Sequence, residues 1–152
     1  LFWNAGPDDG FVTVDAATTG GLAEPIVGRG SAYADVDADG DLDVVLTQIA
    51  GPPLLLRNDQ TEGHHWLRVD LRGQAPHHEA IGARLELTAG GVAQQRQVMP
   101  TRSYQSQVER IVTFGLGDLD RVDTLAIVWP DGSRQTLQGV AADQVLVVEQ
   151  GS

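Results

Sequence analysis

The stretch Asp35-Val36-Asp37-Ala38-Asp39-Gly40-Asp41-Leu42-Asp43 decides how the first part of the chain is read. Five carboxylates alternate with other residues, and one glycine interrupts the run. Like charges at this density repel one another, so a compact loop here calls for a cation. A hard divalent ion, Ca²⁺ first, answers the repulsion by taking oxygen ligands from alternate positions. Two loop geometries begin Asp-x-Asp-x-Asp-Gly. The helix–loop–helix version needs a bidentate Glu at position twelve. That position is Leu46, inside the strand-like run Val44-Val45-Leu46-Thr47, which excludes it. What remains is a nine-residue loop between strands. In it Asp35, Asp37 and Asp39 would offer side-chain oxygens, Asp41 its backbone carbonyl and Asp43 a carboxylate. Gly40 permits the sharp reversal. A solvated acidic turn without an ion is the plain alternative, and the regular alternation argues against it.

The flanks of this loop read as β-structure. Ser31-Ala32-Tyr33-Ala34 leads in, and Val44–Thr47 leads out until Gly51-Pro52-Pro53 stops it. Upstream, Leu1–Asn4, a Gly6–Gly10 turn and Phe11–Val14 form a strand–turn–strand unit. Ala16–Gly30 is broken by glycines and Pro25 and reads as loop. Leu1-Phe2-Trp3-Asn4 is echoed by Leu55-Leu56-Arg57-Asn58, 54 residues later, a spacing that suits repeated sheet units such as propeller blades.

The texture changes near Asp59–Gly63, which divides the chain into residues 1–60 and 61–152. Trp66–Leu71 and Ala83–Thr88 alternate apolar with polar residues, and Val92–Val98 follows a Gly90-Gly91 turn. Arg110–Phe114, Val122–Trp129, Arg134–Leu137 and Val145–Val148 complete a set of short strands with turn signals between them. Such spacing predicts a sandwich or barrel. The fold class read from the sequence is therefore all-β: a propeller-type blade fragment followed by a β-sandwich-like domain.

The formal net charge is −11, there is no Lys, and there is no Cys. Residues 1–60 carry ten acids against Arg29 and Arg57, while the remainder carries eleven acids against eight arginines. An acidic face repels phosphate, so nucleic acid and anionic membrane are excluded as partners. No apolar run reaches membrane-spanning length, so no insertion is expected. The chain starts at Leu1 in mid-pattern and reads as a piece of a longer protein. Without disulfides, a bound metal would serve as the staple of the first region.

Other candidate chemistry is thinner. His64-His65 and His77-His78 would build a transition-metal site only if their loops met. His64 with Glu62 has nothing to align it as an acid–base pair. Ser103, Tyr104 and Ser106 lack a nucleophile elbow and read as turn residues with local hydrogen bonds. Gly115-Leu116-Gly117-Asp118 is too short to cradle a phosphate and reads as a turn. Trp66 and Trp129 are read as core, and Trp3 and Tyr33 as residues that pack between blades.

Two family resemblances rest on these residues. Gly28 to Val45, with the alternating Asp run at its centre, resembles an FG-GAP/VCBS repeat, a blade of integrin-α-like propellers with Ca²⁺ in its loop. The likeness covers about residues 1–60 and carries over the five Asp as calcium ligands. His65-Trp66-Leu67, Ala80–Leu85, Ser103–Gln107, Phe114–Gly117 and Val128–Gly132 resemble, in order, an ASPIC/UnbV domain spanning about 62–150. That domain follows such repeats in cartilage acidic protein-like proteins, and the resemblance implies a secreted, cell-surface or periplasmic setting. It carries over no catalytic residue. The functional expectation is a calcium-binding, non-catalytic binding or adhesion module. Its partners would be a protein or glycan and the remaining propeller blades. The competing reading is an accessory or capping domain of a larger propeller enzyme whose catalytic residues lie mostly elsewhere.

Overall fold

The computed structural model describes residues 2–6, 8–59 and 62–152. Leu1 of the expected first strand, Pro7 of its turn, and Gln60 and Thr61 of the expected boundary lie outside the described residues. Twelve strands and one 3₁₀ turn at Gly20–Ala23 make up its regular structure, so the all-β class holds. Strands β1 (Phe2–Asn4) and β2 (Phe11–Thr13) form a separate antiparallel hairpin. Strands β3 (Gly28–Ala34), β4 (Asp43–Gln48) and β5 (Leu54–Leu56) form an antiparallel three-stranded meander. The acidic loop joins β3 to β4, and Leu46 pairs with Ser31 and Leu54 within this sheet.

The remaining strands build two facing sheets. One has the order β11 (Arg134–Ala141), β10 (Arg121–Val128), β7 (Arg84–Ala89), β8 (Val92–Gln97). The other has the order β12 (Gln144–Glu149), β6 (His65–Arg72), β9 (Val112–Gly117). β6 is antiparallel to β9 and parallel to β12. Alternation along each strand sends one face inward. Leu67, Val69, Leu71 and Phe114 from one sheet meet Leu85, Leu87, Leu125 and Ile127 from the other in a single buried cluster. Two sheets over one apolar layer is the expected β-sandwich. Trp129 belongs to this core, at 2% exposure.

Several boundaries differ from the sequence reading. β9 runs on through Gly115 and Gly117, which pair with Trp66 and His65. Cross-strand hydrogen bonds thus hold in a strand two glycines that alone signal a turn. β11 continues past Leu137 to Ala141 because its backbone pairs with β10 along that whole length. Between Val122 and Leu125 the inward positions of β10 change parity, and β11 does the same between Leu137 and Val140. Gly139, opposite this shift with φ +61, takes a backbone conformation that suits glycine.

The core dictates the stability expected of the sandwich. Leu125→Ala should lower unfolding stability by about 2–5 kcal/mol, because the cavity it leaves lies at the centre of close packing. Val145→Ala, on the outer side of β12, should change it by less than about 0.5 kcal/mol. Urea denaturation of the two variants beside the parent checks both values.

Candidate metal centre

The register of β3 against β4 places Ala34 opposite Asp43, so the loop starts and ends at neighbouring points. Asp43 is buried at 1% exposure and closes the loop with both oxygens. Its Oδ2 accepts the Val36 N–H at 2.9 Å, and its Oδ1 accepts the Asn58 N–H at 2.9 Å. These amides, Asn58 first, hold its carboxyl below the ordinary carboxylate range. Within the loop, Gly40 N–H donates to Asp35 Oδ2 at 3.1 Å and Asp41 N–H to Asp39 Oδ1 at 2.9 Å. Ala38 and Gly40 both have positive φ, 64° and 99°, which folds the loop back on itself.

This path gathers Asp35, Asp37 and Asp39, each offering a carboxylate oxygen within 4.8 Å of the others. Desolvation, then the charges of Asp39 and Asp43, pushes the Asp37 carboxyl above its ordinary range. Arg57 Nη1, 3.7 Å from Asp37, offsets this in part. Asp43 stands beside the trio as the brace of the loop, and each of its oxygens keeps a second lone pair. Asp41 is partly buried at the loop's far end.

The loop does not stand alone. The inward residues of β6 are Leu67, Val69 and Leu71, so Trp66, Arg68 and Asp70 face outward. The acidic loop lies on that outer face. Arg68 Nη1 donates to Asp35 Oδ2 at 2.7 Å, while its Nη2 donates to Glu109. The Asp35 side chain is fully buried and that of Arg68 is 6% exposed. Gly40 packs under the Trp66 indole, and a β-carbon there would overlap the ring. Ser106 adds a strut: its Oγ accepts the Ser31 N–H at 3.0 Å and donates to the Tyr104 carbonyl at 2.9 Å. Asp35 Oδ1 nevertheless remains buried without a hydrogen-bond partner. A buried carboxylate oxygen beside two more carboxylates is what an oxygen-coordinated cation would use, so the residues present fit such an ion.

The other candidates fall elsewhere. His65 Nδ1 lies 2.7 Å from Asp143 Oδ2, and Trp66 N–H donates to Asp143 Oδ1 at 3.2 Å. His65, then the Trp66 amide, keeps the Asp143 carboxyl low. His64 sits 3.6 Å from Glu62 and 3.9 Å from Asp118. His77 and His78 line a different surface hollow with Pro76, Glu79 and Ile81. The two His pairs do not meet, and among the described residues the acidic trio is the one group with metal-ligand spacing. Trp66 covers the loop instead of filling the sandwich core. Tyr33 lines a groove of about 330 Å³ between loop and sandwich, with Leu42, Arg110 and Ile111. Trp3 is exposed. Arg68 and Glu109 carried no motif. The available signal was the alternation of β6, which puts Arg68 on the same outer face as Trp66 and Asp70.

The ASPIC and UnbV family profile matches residues 73–152. The chain belongs to the ASPIC and UnbV family. The family match begins one residue after β6, yet β6 lies between β12 and β9 and supplies three core residues. The folded sandwich is therefore larger than the matched segment. The chain is 31% identical to cartilage acidic protein 1 of Mus musculus over 122 residues, covering 78% of this chain and 18% of that protein. It is 30% identical to the Homo sapiens protein of the same name over 126 residues, covering 80% and 19%. It is 34% identical to the Xenopus tropicalis protein over 109 residues, covering 69% and 16%. The chain thus spans less than a fifth of the curated relatives it matches.

Two outcomes follow from these contacts. Arg68→Ala should cost about 3–5 kcal/mol, because it strands buried carboxylates on both sides. Chemical denaturation measures the loss. Asp143, with its lowered carboxyl, contributes stability that is present above about pH 4 and is lost as the pH falls through its folded value. The deficit of Asp143→Asn relative to the parent should therefore be full at pH 6 and shrink steadily below pH 4. Urea midpoints across that range report it.

Proposed function

We propose that the chain is a calcium-stabilised, non-catalytic binding module of an exported protein. The observation that carries the reading is the buried, unpartnered Asp35 Oδ1 beside Asp37 and Asp39. Asp35, Asp37 and Asp39 would hold Ca²⁺ with their side chains, joined by the Asp41 carbonyl and the Asp43 carboxylate. The ion supplies positive charge where the loop has an excess of negative charge. The raised Asp37 carboxyl reflects desolvation first and then this excess. Because Asp35 is also bonded to Arg68 and Gly40 lies under Trp66, an ordered loop fixes the meander against the sandwich. Ligand binding by the folded state then becomes stability of the whole arrangement.

The meander and hairpin together fit a blade of an FG-GAP/VCBS propeller. Phe2, Trp3, Phe11 and Leu55 are more than half exposed, unlike the core residues of the sandwich. Such surface suits burial against neighbouring blades of a longer chain. The span of less than a fifth of the relatives accords with that. An extracellular setting is supported by those relatives, which are named for cartilage. Glu109, the acid that lines the groove between loop and sandwich, is committed to Arg68, which favours a binding role over an acid–base one.

Isothermal titration of the calcium-free chain tests the reading. It should show Ca²⁺ uptake and a melting point that rises with Ca²⁺, by the equivalent of about 2.7 kcal/mol at a hundredfold excess over Kd. Asp35→Ala with Asp39→Ala should abolish both. Asp37→Asn with Asp39→Asn, which keeps the Arg68 pair intact, should do the same without loss of the fold. Uptake unchanged in both variants would refute the assignment.

A further inference from the structure

β8 is the free edge of the four-stranded sheet, and a second cavity of about 420 Å³ wraps around it. Its lining is Arg84, Gln95, Arg96, Gln97 and Arg102. Arg84 and Gln97 are cross-strand partners, and Glu86 and Gln95 are the next outward pair. Arg96 is the partner of inward-facing Leu85, so it lies on the core side of the edge strand, its guanidinium 5.6 Å from the Phe114 ring centre. Its Nη atoms bond the Gln95 carbonyl at 2.9 Å and Gln94 Oε1 at 3.3 Å. Arg102 arrives from the segment after β8, with its Nε on the Met99 carbonyl at 3.1 Å.

The three arginines meet in a setting free of acids. Acids outnumber arginines about two to one overall, yet no acid lines this cavity. Arg57, Arg68, Arg72 and Arg110 have carboxylate partners, while among the described residues the other six arginines, Arg84, Arg96 and Arg102 included, have none. Glu86, two residues from Arg84, is held by Gln95 Nε2 at 3.2 Å. Among the described residues the Arg84 guanidinium makes no hydrogen bond or ion pair. Guanidinium forks held near one another, without an acid to neutralise them, match carboxylate or sulfate groups bidentately. Gln95 and Gln97 add amides that both donate and accept, as sugar hydroxyls require. No apolar side chain lines the cavity, so a peptide would find no place to bury an apolar anchor. The volume lies in the range of small-ligand sites.

We propose that this edge cavity binds an acidic saccharide through its carboxylate or sulfate groups. The assignment deepens the binding-module reading and rests on it. Binding is measured on the whole chain in the presence of Ca²⁺, with four probes. These are an oligogalacturonate tetrasaccharide, a sulfated uronate tetrasaccharide, a neutral cellotetraose and an oligoglutamate peptide. At least one acidic saccharide should bind, and cellotetraose should not. Arg84→Gln and Arg96→Gln should each weaken binding about tenfold, the scale of one lost charge-assisted hydrogen bond. Raising the salt from 50 to 200 mM should weaken it further. Which acidic saccharide binds separates carboxylate from sulfate recognition. Arg84→Gln should melt at the parent temperature, since its guanidinium holds nothing in the fold. Failure of both acidic saccharides, unchanged affinity in Arg84→Gln, or equal binding by oligoglutamate would each overturn the proposal. Calcium uptake in the same samples reports on the module reading independently.

Discussion

The arrangement depends on one guanidinium. Arg68 lies on the outer face of β6, where an alternating strand would ordinarily meet water, and it is buried because the acidic loop and the segment carrying Glu109 close over it. Two carboxylates share its charge. A buried ion group of this kind seldom adds much net stability over a well-packed apolar alternative. What it does impose is geometry, since a charge taken out of water tolerates few other placements. Asp35 is bonded to it, Asp35 is the first residue of the loop, and the loop's course over the sandwich follows. Trp66 above Gly40 and Ser106 against Ser31 act at the same junction.

The sequence made the fold class, nearly every strand and the acidic loop legible, because each is written in local pattern. Alternation revealed β6 and β7. The Gly-Pro-Pro stop bounded β4, and Leu46 at position twelve ruled out a helix–loop–helix site. Local pattern failed where distant pairing decided the outcome. Gly115 and Gly117 have the composition of a turn but are held in β9 by β6. The strand-like pattern of Arg134–Leu137 stops short of Gly139, yet the ladder with β10 carries the strand through to Ala141.

The site was half legible for the same reason. Five alternating Asp mark by themselves an acidic loop that would suit a cation. The partners that tie it down, Arg68 and Trp66, sit 33 and 26 residues further along from Asp35 and Gly40. Only the placement of one sheet on another brings them in, and no spacing rule encodes that. Asp43 is an instructive case. Its spacing marks it as a ninth-position ligand, while the structure shows both its oxygens receiving backbone amides. The two roles are compatible because carboxylate oxygens have lone pairs to spare. A residue that braces the loop would also keep its neighbours close enough to share an ion.

The distribution of charge follows from this junction. Half of the ten acids before residue 60 lie in the loop, where a divalent ion and Arg68 would balance them. Arg84, Arg96 and Arg102 are set apart at the β8 edge, in the half of the chain where acids and arginines are more nearly equal. If the two sets met, they would neutralise each other, and neither an ion nor an anionic ligand would gain by binding. Keeping them on different sheets leaves each charge available. Two arginines are exceptions: Arg57 stands beside Asp37 of the acidic loop, and the buried one against Asp35 is Arg68. Its bond to Asp35 leaves the second oxygen of that carboxylate buried and unmatched. Arg57 stands beside Asp37 and leaves this oxygen unmatched, so a cation is the group that would complete it.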